Sequence, residues 1–259
     1  MVVRLFEGGV RLGTVIAVTS GKGGTGKTTL TGGLGSALAV LGYRTLCIDC
    51  DIGMKNLDFV LGLTDISLMN FEDVISGRVT LEDGAVEHPD IKNLFFLTAP
   101  SVLSPDSIDR DRMREFLMQV REKFDYCIID GPAGIGSGFR LACENADLAI
   151  IVANGDGMSL RNGQRTTSEL EQLGVTNVRL VINRVRKRFL SSIHSNADDM
   201  IDTVGARLLG VIPESRAILR AGCTETPVVL LEDAGAREPY IRIARRVAGE
   251  RVLLDRRFK

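Results

Sequence analysis

Residues 21–28 read Gly-Lys-Gly-Gly-Thr-Gly-Lys-Thr, which fits the phosphate-binding pattern G-x-x-x-x-G-K-[ST]. In such a loop, backbone N–H groups wrap the phosphates of a nucleotide. The run before it, residues 14–19, is apolar and β-branched, as expected for a buried strand, and the run after it repeats apolar residues at helical spacing up to Gly42. The motif is therefore predicted at a strand-to-helix turn, where free N–H groups and the helix dipole attract anions.

The loop residues divide the work of holding a nucleotide. Three glycines let the backbone bend tightly without a Cβ between it and the phosphates. Lys27 would reach the β- and γ-phosphates, and the Thr28 hydroxyl would ligate Mg²⁺. The predicted nucleotide-binding residues of this segment are Gly21, Lys22, Gly23, Gly24, Thr25, Gly26, Lys27, Thr28 and Thr29.

Size and composition favour one large α/β domain. The chain has 259 residues, 44% of them hydrophobic and 25% charged, and its net charge is −1, which argues mildly against DNA binding. The apolar runs are strand-sized and residues 1–13 lack a signal-peptide core, so a cytoplasmic protein is expected. We divide the chain into an N-terminal extension (1–13), an ATPase domain (14–249) and a short basic and apolar tail (250–259).

Strand-like runs recur along the chain, and helix-like patterns such as 112–123 and 165–173 lie between them. The runs are residues 45–48, 94–97, 126–129, 149–152, 179–182 and 208–212. Nearly all-apolar strands that alternate with helices predict a parallel sheet covered on both faces. The expected fold is a P-loop NTPase with a mostly parallel sheet of about seven or eight strands.

Two of the predicted strands end in aspartates, at Asp49-Cys-Asp and at Asp130-Gly-Pro. In open α/β sheets, ligands bind beyond the carboxyl ends of the strands. Asp130 is predicted to hold Mg²⁺, either directly or through a water molecule. Asp49 is predicted to support the metal site and Asp51 to orient the attacking water. The alternative for any one of them is a loop or helix cap, but two such loops beside a phosphate-binding loop favour the functional interpretation.

The cysteines and histidines offer weaker hypotheses. Cys47 and Cys50 form a C-x-x-C, but no second pair of ligands lies nearby, so small buried side chains are favoured over a metal or redox site. Cys127 is interpreted in the same way. His88 and His194 lie in polar, loop-like segments and neither is predicted to be a catalytic base.

Five segments together carry a family resemblance: residues 20–29, 49–58, 130–134, 181–184 and 210–214. They resemble the deviant Walker A ATPases of the MinD/ParA group and, within that group, the MinD branch that determines the septum site. The resemblance extends over about residues 14–249.

The resemblance implies a catalytic arrangement shared between two subunits. ATP and Mg²⁺ would be sandwiched in a homodimer, and Lys22 of one subunit would reach the phosphates bound to the other, with Lys27 and Asp51 completing the catalytic set. It also implies that Asn183, Pro213 and Glu214 hold the adenine. Regulatory proteins, either a division inhibitor or an activator, would be the partners. Asn56 falls in the family's first switch segment, and a turn asparagine is an equal alternative.

Two segments depart from the family pattern. Asn162 and Gln164 stand where MinD proteins tend to carry aspartates near the dimer interface, and the chain ends soon after Gly249. Residues 242–259 hold seven basic and two acidic residues, and this basic tail with apolar side chains fits an anionic membrane surface as well as a frayed, solvated end.

Three other functions stay open. The first is a relative that positions flagella or segregates DNA, and the second is an ATP-bound scaffold with negligible hydrolysis. The third, an iron–sulfur carrier of related fold, would need a cysteine pair unlike Cys47 and Cys50.

Overall fold

The computed structural model describes residues 12–52, 54–66, 69–101, 103–186 and 197–254. His194, most of the N-terminal extension and the last five residues of the tail lie outside the described residues. Within them, eight strands form one sheet in the order β3-β4-β2-β5-β1-β6-β7-β8. The strands are β1 Thr14–Ser20, β2 Thr45–Asp49, β3 Val86–Glu87, β4 Leu94–Leu97, β5 Tyr126–Ala133, β6 Leu148–Asn154, β7 Val178–Val185 and β8 Arg207–Pro213.

Helices connect the strands and cover both faces of the sheet. They are α1 Lys27–Val40, α2 Leu57–Leu61, α3 Phe71–Ile75, α4 Leu81–Gly84, α5 Arg110–Lys123, α6 Ser137–Cys143, α7 Gly157–Gln172, α8 Ala197–Val204, α9 Arg216–Ala221 and α10 Ala234–Val247. Short 3-10 turns at Pro105–Ser107 and Val228–Leu230 lie between them.

The alternation of side chains along β1 builds two separate cores. Val15 and Ala17 pack on one face with residues of α5, α6 and α7, whereas Ile16 and Val18 pack on the other with residues of α1 and α10. All neighbouring strands are parallel except β3 and β4, which are antiparallel. The predicted fold class is confirmed.

The order of the strands positions the phosphate-binding loop. β1 pairs in parallel with β5 on one side and with β6 on the other. Strands β2 to β5 lie on the first side of β1 and strands β6 to β8 on the second, so the strand order switches sides at β1. Ligands in open parallel sheets bind at such a switch point, beyond the carboxyl ends of the strands. The loop that follows β1 opens at this point.

Helix α7 begins eight residues before the predicted 165. Asp156 caps it by accepting a hydrogen bond from the Ser159 N–H at 2.9 Å. The helix includes Gly163, where a Cβ would come within 3.2 Å of Val204. A glycine therefore lets α8 approach α7 closely, and tertiary packing outweighs its low helix propensity.

The beginning of the tail is attached to the domain. Arg246 donates from Nε to the Val252 carbonyl at 2.9 Å and from Nη1 to the Leu209 carbonyl at 2.7 Å. Residues 250–254 have no regular secondary structure. Among the described helices, none combines the length and apolar character that crossing a membrane requires.

Candidate nucleotide-binding site

The loop between β1 and α1 has the backbone shape that its glycines permit. Gly24 has a φ of 77° and Gly26 a φ of 94°, in the left-handed region that favours glycine. A Cβ at Gly26 would overlap the side-chain amide of Asn183, whereas a Cβ at Gly23 or Gly24 would meet no atom within 4 Å. The loop therefore packs tightly on its Gly26 side and opens outward at Gly23 and Gly24.

The start of α1 supplies groups that suit an anion. Gly26 is its N-cap and, in the described structure, no side chain caps the first N–H groups. Lys27, the first helical residue, is buried against the loop. The Thr25 hydroxyl is buried and has no hydrogen-bond partner within the described part of the chain. These unpaired donors at a helix N-terminus are complementary to phosphate oxygens.

Asp130 lies on β5 directly beside Asp49 of β2. Its carboxylate accepts hydrogen bonds from the hydroxyls of Thr28 and, at 2.9 Å, Thr31. Burial, with a further contribution from the Asp49 charge, raises the pKa of Asp130 to about 7, although the two hydroxyls and Lys27 oppose the shift. A divalent cation would neutralise this buried pair of acids.

Asp49 uses both carboxylate oxygens to hold the loop that follows β2. Oδ1 accepts from the Asp51 N–H at 2.8 Å, and Oδ2 accepts from the N–H groups of Asn56 and Leu57 at 3.2 Å. Burial raises the pKa of Asp49 to about 6, against the effect of these hydrogen bonds. The geometry therefore favours a supporting role beside the predicted metal site and gives Asp49 a second role as the anchor of α2.

Asp51 lies at the mouth of the site, half-buried. Burial raises the pKa of its carboxyl, and the nearby charge of Lys27 opposes that shift. Its proximity to Lys27 places it on the phosphate side of the loop. Its assignment as the residue that orients water stays a prediction.

The Lys22 side chain is 34% exposed. Its Nζ lies 3.5 Å from Oδ1 of Asp156, the N-cap of α7. A Cβ at Gly21 would overlap the backbone of Asn162, so α7 packs directly on the loop. The two residues are 134 positions apart, and the sequence patterns did not point to Asp156. The segment that departs from the family pattern is thus the wall beside Lys22.

A cavity of about 320 Å³ opens at the ends of β7 and β8, on the other side of the loop. Its lining includes the three predicted adenine-site residues, Asn183, Pro213 and Glu214, and also the Tyr240 ring. Asn183 donates from Nδ2 to the Thr25 carbonyl at 2.8 Å and accepts at Oδ1 from the Arg184 N–H at 2.9 Å. Asn183 therefore joins the cavity to the phosphate loop as well as lining it.

The remaining candidates have structural roles. Cys47 and Cys50 belong to different cores, on opposite faces of the sheet, and Cys127 is buried too, so the C-x-x-C does not bring two thiols together. His88 is buried rather than in an exposed loop, and its Nε2 lies 2.8 Å from the Leu61 carbonyl. This contact is with the last residue of α2.

Comparison with known proteins agrees with this geometry. Residues 16–228 match the family model described as the CobQ/CobB/MinD/ParA nucleotide binding domain. The septum site-determining protein MinD of Thermotoga maritima is 37% identical over 250 residues, which covers 95% of this chain and 92% of the relative. This chain belongs to the MinD family.

Solved MinD structures share the fold over nearly the whole chain. MinD in the MinC:MinD cell division complex of Aquifex aeolicus has a TM-score of 0.86 and 35% identity, and covers 94% of this chain and 99% of its own. MinD of Pyrococcus horikoshii, complexed with Mg-ADP, has a TM-score of 0.77 and 27% identity, and covers 91% and 96%.

Proposed function

We propose that this MinD-family chain is a Mg²⁺-dependent ATPase that dimerises when it binds ATP, recruits regulatory division proteins as a dimer, and resets by hydrolysis. The observation that carries the proposal is the position of Lys22. It is a solvent-accessible cation beside the phosphate loop, and its ion-pair partner, Asp156, belongs to the same subunit. A triphosphate bound to another copy of the chain would be a stronger partner for Lys22 than the single carboxylate of Asp156 is.

The residues present fit ATP and Mg²⁺. The loop opens outward at Gly23 and Gly24, the Thr25 hydroxyl lacks a partner within the described residues, and the nearby cavity of about 320 Å³ suits a purine base. Thr28 and Asp130 would hold the metal ion. When bound, Mg²⁺ draws negative charge from the phosphates. The Mg-ADP complex of the Pyrococcus relative supports this choice of ligands.

The protein's own groups then divide the chemistry. Lys27 neutralises charge on the β- and γ-phosphates, and Lys22 adds a second cation from the partner subunit. Asp51 orients a water for in-line attack on the γ-phosphate, with its own position fixed by the hydrogen bond from its N–H to Asp49. Asn183 fixes the base relative to the phosphates through its bond to the Thr25 carbonyl.

The proposed cycle assigns the protein to the cytoplasm, and to the inner face of the membrane while the dimer lasts. Two tails in one dimer would multiply a weak attraction to anionic lipid. The structure of MinD with MinC from Aquifex supports a regulatory protein as partner. In the domain division that we propose, residues 14–249 carry the ATPase and residues 250–259 the lipid contact.

Dimerisation is tested by sedimentation velocity with ADP, ATP and a non-hydrolysable ATP analogue. We expect a dimer with the analogue and a monomer with ADP, and we expect Lys22→Ala to stay monomeric with all three. Lys123→Ala is the matched control and should dimerise. It also removes one partly exposed lysine, but at the edge of the sheet where the strands begin, away from the phosphate loop. A monomeric wild type with the analogue, or a dimeric Lys22→Ala variant, would overturn the proposal.

The lipid contact is tested separately by pelleting with anionic liposomes. Removal of residues 255–259 keeps Val252 and its bond from Arg246, so it removes tail charge without disturbing the attachment of the tail. We expect the wild type to pellet with ATP and not with ADP, and the shortened chain to stay in solution. Equal pelleting in all three samples would remove the membrane from the cycle and leave the ATPase proposal intact.

Turnover separates a switch from a scaffold with negligible hydrolysis. Phosphate release by the wild type, measured alone and with a cognate activator protein, should exceed that of Asp51→Ala in both conditions. If partner release from the dimer is the same for wild type and Asp51→Ala, hydrolysis does not reset the protein and the scaffold alternative replaces the switch.

A further inference from the structure

Thr31 makes an unusual hydrogen bond for a hydroxyl in a helix. Serine and threonine within helices commonly donate to the carbonyl one turn earlier, as Ser36 does to Gly32 in α1 and as Thr166 does to Asn162 in α7. Thr31 instead donates across to Oδ1 of Asp130 at 2.9 Å, from a fully buried position. Its hydroxyl is thus committed to a residue 99 positions away.

The Asp130 carboxylate, which Thr31 holds, is buried and has few other hydrogen-bond donors around it in the described structure. Asp130 is 1% exposed, lies beside Asp49, and must be ionised to hold a cation. The other hydroxyl on it belongs to Thr28, whose oxygen we assign to Mg²⁺. Thr31 lies three residues further along α1, on the same face of the helix and one turn deeper in the core. Thr31 therefore donates to Asp130 from the core side, whereas Thr28 donates from the side of the proposed metal ion.

We propose that Thr31 is a positioning residue for Mg²⁺: its hydroxyl fixes the Asp130 carboxylate in the orientation that holds the ion. This inference rests on the proposed function, because it assigns a role toward the metal of that site. Partners that orient metal ligands commonly change metal affinity by about 10- to 100-fold when they are lost. Thr31 would act through Asp130 and would itself touch neither nucleotide nor metal.

The test compares three substitutions in the full chain. Thr31→Val keeps the shape and removes the donor, Thr31→Ser keeps the donor, and Ser36→Ala removes a buried hydroxyl of the same helix that serves only the backbone. A fluorescent ATP analogue is titrated at increasing Mg²⁺ and, separately, in EDTA. Mn²⁺ binding to the nucleotide complex is followed by its electron paramagnetic resonance signal.

We expect Thr31→Val to raise the half-saturating Mg²⁺ and Mn²⁺ concentrations about 10-fold, with nucleotide affinity in EDTA unchanged. Thr31→Ser should restore the wild-type value and Ser36→Ala should match it. If Thr31→Val does not fold, Thr31→Cys takes its place, and its weaker donor should give an intermediate shift.

The outcomes separate the two proposals. A Thr31→Val protein that melts at a lower temperature but keeps the wild-type metal dependence would show that Thr31 only packs, and the inference fails alone. A failure of Thr31→Ser to restore the metal dependence would also overturn it. A wild type whose nucleotide binding ignores Mg²⁺ would overturn the proposed metal site and this inference with it.

Discussion

The two edges of the sheet treat charge differently. At the edge where the strands begin, Arg121 is enclosed by acceptors: the Asp147 carboxylate, the Asn145 carbonyl at 2.8 Å and the Gly13 carbonyl at 3.3 Å. Arg44, at the same edge, lies over the ring of Phe95 at 4.5 Å. Both of these cations therefore have partners from their own chain.

At the edge where the strands end, Arg186 and Glu214 form an ion pair, but the charges around the phosphate loop are not matched. Asp49 and Asp130 lie side by side with raised pKa values, and the ion-pair partner of Lys22 is a partly exposed carboxylate, Asp156. Folding alone does not favour two buried acids next to each other. This difference indicates that the second edge is arranged for a charged ligand, whose phosphates and metal ion would neutralise the unmatched charges. Substitutions at the two edges should therefore affect different properties.

Asp51→Asn should have the largest effect, on turnover. The amide keeps the shape of the side chain but loses the charge that orients water, so we expect kcat to fall about 10²- to 10⁴-fold while the affinity for ATP stays near wild type. Phosphate release and nucleotide binding measure the two properties. Asp65→Asn, at an exposed position of the segment after α2, is the control. A loss below about 10-fold in kcat would remove Asp51 from the catalytic set.

Gly26→Ala should come next, with a loss of nucleotide binding. An alanine Cβ would overlap the Asn183 amide, and the φ of 94° would strain any residue other than glycine by about 1–3 kcal/mol. The loop would have to shift and leave the phosphate-binding shape. We expect calorimetry to show at least about a 10-fold weaker affinity for ATP, which corresponds to about 1.4 kcal/mol.

Gly23→Ala provides the comparison, because a Cβ there would meet no atom within 4 Å in the structure. It should reduce stability far less than Gly26→Ala does. If the two variants unfold at the same temperature, the close contact with Asn183 does not determine the shape of the loop.

The sequence predicted the loop and most strands because their signals are local. The phosphate motif lies within eight consecutive residues, and β4 was predicted to the residue because its apolar run is continuous. The two-residue strand β3 has no such signal, and it was missed. The start of α7 was missed because its glycines favour loops unless a neighbouring helix requires them.

The supporting contacts of the site could not be predicted in this way. Thr31 and Asp130 are 99 positions apart, and Asn183 and Thr25 are 158 apart, so their pairing depends on the strand order. Asp49 was predicted as a metal residue from its place at a strand end. Its bonds to three backbone N–H groups are invisible in a pattern of side chains.

Arg121→Ala tests the edge where charges are matched. Removing the guanidinium would leave Asp147 partly buried and two carbonyls without their donor, so we expect a loss of about 2–3 kcal/mol in the free energy of unfolding. Denaturant titration measures it. ATP affinity of the folded protein should not change, because Arg121 is at the edge opposite the phosphate loop.

Arg114→Ala is the matched control on the same helix, since its ion pair with Asp111 is exposed and should contribute within about 0.5 kcal/mol. A change in ATP affinity in Arg121→Ala beyond that of Arg114→Ala would contradict the separation of the two edges.

His88 gives the smallest expected effect, in the pH dependence of stability. Its Nδ1 accepts from the N–H groups of Asp90 and Ile91 at 3.0 and 3.1 Å, which requires a neutral ring with the proton on Nε2. Burial lowers the pKa of His88 from its ordinary 6.5, although the Leu61 carbonyl and Asp90 oppose the shift. The unfolded chain therefore binds this proton more readily than the folded protein, and His88 lowers stability as the pH falls through 6.5.

The contribution of His88 is isolated by comparing wild type with His88→Gln, because the raised carboxyl pKa values of Asp49 and Asp130 act equally in both proteins. Between about pH 7.5 and 5, the unfolding midpoint of the wild type should fall relative to that of the variant, by a few degrees. The variant should be the less stable protein at pH 7.5, since glutamine cannot supply both ring contacts. Parallel curves for the two proteins would show that His88 accepts a proton in the fold as easily as it does in the unfolded chain.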